Sequence, residues 1–206
     1  MKGSFVEHTD KYKKLLNMIK GIFNTDNDLP DKVFKETYNH FLFGDCDWTM
    51  YEEFWGVLKL LMTASGDKSV LTAVMDPDPV GYYYKEFGYF NWFTIPLEAS
   101  DDEYYTLLET SPEDSIADAI LYNSYTILWL SSSGKWGIWG DRSSGICVLG
   151  IQNLSDFDED ITPGLKNWRS LDETVKSWIE LNFLDNNEMY NKFVSTLDSN
   201  YAISKK

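Results

Sequence analysis

The side chains able to do chemistry are few and poorly grouped. Histidine moves protons most readily near neutral pH, and this chain has two, His8 and His40. Neither stands in an arrangement that activates a serine or cysteine nucleophile. Ser143-Ser144-Gly145 lies between two strand-like runs, so it is not the strand-to-helix elbow of a serine hydrolase. Gly134-Lys135-Trp136 lacks the upstream glycine and the following helix of a phosphate loop. Cys46 and Cys147 show no metal-ligand spacing and read as free, buried thiols. Carboxylates are plentiful. Asp156, Asp158, Glu159 and Asp160 follow one another after Ile151, but the glycine and terminal glutamate of a calcium loop are missing at the required offsets. Asp141-Arg142 is either a turn-stabilising pair or part of a site. The expectation is no catalytic residue, no metal and no cofactor.

Charge points elsewhere. Thirty-three acidic residues against 18 basic ones give a formal charge of −15. Such a surface repels the phosphates of nucleic acids and anionic membranes. It confers solubility, and it steers a basic partner toward the chain. No apolar run approaches the ~20 residues of a membrane helix. The opening Met1 to Leu16 lacks an uninterrupted apolar stretch, so a cytoplasmic location is expected.

The elements that would position a site centre on Thr126 to Ile151. Strands are expected near 126–130, 135–139 and 146–151, joined by Ser- and Gly-rich turns as a meander. Alternation puts Trp136 and Ile138 on one face and Gly137 and Trp139 on the other. Trp139 is thus a candidate for an exposed surface, and Gly137 for a place where a ring lies over the backbone. Further strands are expected near 70–75 and 89–95, with Tyr82 to Phe93 carrying more rings than one core face absorbs. Tyr83 is a second candidate anchor from that run.

Helical spacing appears at 8–23, with Tyr12, Leu15, Ile19 and Ile22 on one stripe. Another helix is expected from Asp31, carrying Val33, Phe34, Tyr38, Phe41 and Leu42. Thr49-x-x-Glu52, Ser100-x-x-Glu103 and Ser170-x-x-Glu173 fit capping boxes, and Ser111-Pro112 opens a further helix toward Tyr122. A last helix carries Met189, Phe193 and Leu197. The whole reads as one α+β domain over residues 1–206, a mostly antiparallel sheet flanked by amphipathic helices.

A small, acidic, Trp-rich α+β chain with the strand Lys135-Trp136-Gly137-Ile138-Trp139-Gly140-Asp141-Arg142 resembles the immunity proteins of bacterial polymorphic-toxin systems, over Tyr82 to Ile151. The resemblance implies binding to a cognate toxin domain, often a nuclease, and no catalytic residue. Asp156, Asp158, Glu159, Asp160 and Asp141 would then meet the basic partner, with Trp139 or Tyr83 as aromatic anchors. The other readings are a structural or regulatory domain, and a small-molecule binder built on the aromatics of 82–93. Oligomeric state is not readable from the chain.

Overall fold

In chain order the elements are β1 (Ser4–Val6), α1 (Thr9–Ile22), β2 (His40–Asp45), α2 (Phe54–Ser65), β3 (Ser69–Asp76), α3 (Lys85–Phe87), β4 (Phe90–Pro96), α4 (Asp101–Glu109), β5 (Thr126–Ser131), β6 (Trp136–Asp141), β7 (Ile146–Ile151), α5 (Glu173–Phe183) and α6 (Asn187–Tyr201). This computed structural model describes residues 3–113, 115–157, 161–184 and 186–201. The seven strands form one sheet ordered β1-β4-β3-β5-β6-β7-β2, and every neighbouring pair is antiparallel. The fold is α+β, with the meander β5-β6-β7 at its centre.

Both faces of the sheet are covered. Trp129, Trp136, Ile138 and Leu149 point toward α2, α4 and the segment ending at Trp168. Leu128, Leu130, Trp139 and Val148 point the other way, under α1, α5 and α6. A strand buried on both sides must be apolar at successive positions, which is why 126–130 and 146–151 read as near-continuous hydrophobic runs. Several buried indoles satisfy their N–H groups, while Trp168 Nε1 is buried without a partner among the described residues. Trp136 Nε1 donates to Ser65 Oγ at 3.1 Å, Trp129 Nε1 to the Tyr104 hydroxyl at 3.2 Å, and Trp92 Nε1 to the Val74 carbonyl at 2.7 Å.

Gly137 and Gly150 face each other across β6 and β7. With no Cβ on either, the backbone there is a flat floor. Phe23 lies over Gly137 and Phe34 over Gly150, so closely that an added Cβ would sit 2.8 Å and 2.4 Å from the respective rings. The two rings pack together, centroids 5.0 Å apart.

This floor explains the main departure from the sequence expectation. Residues 31–42 do not make a helix. The chain after Asp31 is irregular and drops Phe34 onto the floor, then His40–Asp45 pairs with β7 along its whole length. Phe41 and Phe43 face one side and Leu42 the other, a period of two that also closes the open edge of β7.

Local signals fared unevenly. Ser100 and Glu103 form the expected reciprocal box, with bonds of 3.1 Å and 3.0 Å. Thr49 instead donates to the Cys46 carbonyl at 2.6 Å inside a 3-10 turn, and α2 starts later, at Phe54. Asp172, not Ser170, caps α5, accepting from Thr174 and Val175 amides. The helix expected after Pro112 shrinks to a 3-10 turn at Ile116–Asp118, because the Asp118 carboxylate gathers side chains from outside it.

Candidate docking surface

Strand register decides which loops meet. Asp76 of β3 is opposite Thr126 of β5, Thr126 is opposite Asp141 of β6, Asp141 is opposite Ile146 of β7, and Ile146 is opposite Asp45 of β2. The connections 45–53, 77–89, 110–125 and 142–145 therefore all emerge at one end of the sheet. Tyr125 extends the ladder there, its N–H reaching the Asp76 carbonyl (2.7 Å) and its carbonyl accepting from Arg142 N (2.9 Å).

This rim collects the surface aromatics. Ten large hydrophobic residues are exposed among the described residues; Tyr51, Val80, Tyr82, Ile116, Tyr122 and Tyr125 come from these connections. Leu181, 76% exposed, stands beside them on α5. The same connections carry exposed carboxylates at Asp47, Glu52, Glu53, Asp78, Glu86 and Glu113, against Lys85 and the half-buried Arg142 as cations. Lys68 and Lys135 lie at the opposite end, beside the starts of β3 and β6.

Two buried aspartates shape the rim. Asp118 is 7% exposed. It accepts from the Tyr82 hydroxyl and from Asn123 Nδ2, each at 2.7 Å, and from Ser115 Oγ, while its carbonyl accepts from the Tyr83 hydroxyl at 3.0 Å. It thereby ties the 110–125 loop to the π-helical turn Pro79–Tyr84. Burial alone would raise its carboxyl pKa, but the donated bonds win and hold it below the usual value. Asp141 accepts from Ser143 N (2.9 Å), Ser143 Oγ (2.5 Å) and Ser144 Oγ (2.7 Å), closing the turn that presents Arg142.

Within the rim lies a cleft of about 430 Å³, walled by Asp45, Asp47, Tyr122, Tyr125, Arg142, Trp178 and Leu181 among others. Asp45 is half-buried, and burial raises its carboxyl pKa, helped by the charge of Asp47 and opposed by the Asp47 and Trp48 amides. Cys46 and Cys147 lie nearby, free and buried, and burial pushes both thiols up, away from reactivity. Ser143 has an aspartate partner but no histidine; His40 begins β2, at the sheet's other end. Among the described residues no group of three or more His, Cys, Asp or Glu could hold a metal ion, and no helix is long and apolar enough to cross a membrane.

The residues singled out from sequence do not converge. Trp139 is 2% exposed and packs edge-on against Phe23. Tyr83 is fully buried against Phe87 and Tyr89. Trp139 presents no surface because the sheet is covered on both faces, and Tyr83 none because the Pro79–Tyr84 turn folds it against Phe87, Tyr89 and the Asp118 carbonyl. Of the later rings, Phe90 and Trp92 go to one side of the sheet and Phe93 to the other. Asp141 sits at the rim but is turned inward. Asp156 belongs to a short 3-10 turn, Leu154–Asp156, beyond the far end of β7, a strand whose two ends are roughly 17 Å apart, with Asp141 opposite the near one. Asp158, Glu159 and Asp160 lie outside the described residues. The signal that would have located the rim was the connection set itself. Tyr125 follows the polar pair Asn123-Ser124 just before β5, outside the apolar spacing of Ile116, Ala119 and Ile120.

Comparison with models of known protein families, with curated proteins and with solved structures gave no match to this chain.

Proposed function

We propose that this protein is a binding module that docks a basic protein partner through the rim, and that the partner is a toxin domain of the nuclease kind which it neutralises. The carrying observation is that exposed aromatics and exposed carboxylates share one end of the sheet. Tyrosines there bury large area at small entropic cost, and the carboxylates steer a basic surface and match it once docked. Nuclease clefts are basic because they hold phosphates, so an acidic rim competes for them.

The test is affinity capture from the organism that encodes the chain, with three baits. These are the wild type, a rim variant (Tyr122→Ser, Tyr125→Ser, Leu181→Ser) and an opposite-end control (Leu154→Ser). The reading expects a basic protein captured by wild type and control and lost from the rim variant, and a toxin gene beside the gene for this chain. Equal capture by all three baits refutes it.

A further inference from the structure

We propose that the cleft between Asp45, Tyr122 and Tyr125 is a socket for an arginine side chain of the partner. This rests on the docking reading above and names the chemistry of its central contact. Asp45 and Asp47 both line the cleft. The described ion pairs of the protein are Arg169–Asp172 and Lys176–Glu173, so among the described residues neither cleft carboxylate is in an ion pair. Asp45 Oδ1 accepts from the Asp47 backbone N–H at 2.9 Å, which holds the Asp45 carboxylate against the turn.

The one cation in the wall among the described residues, Arg142, does not fill this role. Arg142 Nη1 donates to the Leu121 carbonyl at 3.0 Å and to Ser124 Oγ at 3.4 Å. Its guanidinium buttresses the 121–124 loop and, among the described residues, makes no ion pair with either carboxylate. Tyr122 and Tyr125 are 59% and 57% exposed, and neither ring stacks on another among the described residues. A guanidinium suits this lining better than an ammonium. It is planar, lies flat on a tyrosine face, and offers paired N–H donors to a carboxylate. A second anion would meet two carboxylates, so an acidic occupant is disfavoured.

The probe is N-acetyl-arginine methylamide, titrated into the full-length ¹⁵N-labelled protein, with the lysine and glutamate analogues in parallel. Expected are saturable shifts confined to amides around Asp45, Asp47, Tyr122, Tyr125 and Gly145. Lysine should bind several-fold more weakly and glutamate should leave those amides unmoved. Asp45→Asn combined with Asp47→Asn should weaken arginine about tenfold, in a protein whose amide dispersion shows it folded. Tyr125→Ser serves as the second variant if that pair fails to fold. Absent or scattered shifts, equal binding of glutamate, or arginine binding unchanged in the variants overturns the proposal. If arginine fails while the rim variant still loses its protein partner, the socket is wrong and the docking rim stands. If arginine binds while that variant keeps its partner, the reverse holds.

Discussion

Gly150→Ala is the sharpest test of how the sheet is packed. The new methyl would lie 2.4, 2.6 and 2.9 Å from three carbons of the Phe34 ring. These are distances no real contact tolerates, so the ring or the strand must move. Phe34 is 4% exposed and is hemmed in by Phe23, Tyr38 and Phe41, with centroids 5.0, 5.4 and 5.5 Å away. Its open side is a cavity of about 260 Å³ shared with Lys32, Glu36 and Tyr201, so moving off the glycine breaks its packing on the other rings. Overpacking of this kind costs about 1–3 kcal/mol, and near 2 kcal/mol a chain of this size loses roughly 4–8 °C in Tm. The assay is thermal and urea unfolding of the variant beside Gly21→Ala. Gly21 is helical, exposed and without a neighbour within 4 Å of an added Cβ, so its alanine should stabilise by about 0.5–1 kcal/mol. The cause is checked in a Phe34→Ala background, where Gly150→Ala should cost almost nothing because the space beneath is vacated. An unchanged Tm for Gly150→Ala, or the same loss in both backgrounds, refutes the account of the glycine floor.

Other outcomes follow from the same structure. Trp139→Ala should destabilise by about 3–5 kcal/mol, as a large buried side chain does, while the triple rim variant at Tyr122, Tyr125 and Leu181 should stay within roughly 1.5 kcal/mol of wild type, as exposed sites do; denaturant midpoints decide both. Asp67→Ala should cost about 3 kcal/mol, because that buried carboxylate accepts from Ser131 Oγ, from Ser133 N and Oγ, and from Ser65 Oγ, and its loss strands donors at the end of α2 and the β5–β6 turn. Asp118, whose carboxyl pKa is held below its ordinary 3.8 in the fold, contributes stability that is complete above the unfolded value and is lost as pH falls through the lower folded one. Asp118→Asn should therefore lower Tm at pH 6 and flatten its decline below pH 4, read from melts at a series of pH values.

Much of this fold was legible because period and turn chemistry agreed. The β5-β6-β7 runs, bounded by Ser and Gly, are strands at almost the expected residues, and α1 follows its stripe of Leu15, Ile19 and Ile22. Residues 31–42 misled because Phe34, Tyr38, Phe41 and Leu42 mimic a helical stripe, whereas their partners, Gly150 and the edge of β7, are more than a hundred positions away. The 111–122 stretch carried a proline at a plausible first turn, but Asp118 found better partners in Tyr82 and Asn123 than a helix supplies. The site was harder. Whether Trp139 is exposed depends on how many layers cover the sheet, and alternation along one strand says only that two faces exist. Tyr83 is buried by a turn, Pro79–Tyr84, whose folding onto Phe87 and Tyr89 no period announces. The rim is a product of register, which assembles Asp45, Tyr82, Tyr125 and Arg142 from four separate connections.

The claim that one end of the sheet is the docking face is tested most directly by hydrogen–deuterium exchange on the protein alone and bound to its captured partner. The account predicts new protection in 45–53, 77–89, 110–125 and 142–145, with exchange at 24–39 and 152–157 unchanged. Protection confined to those last two segments, at the far end of β7, would contradict it.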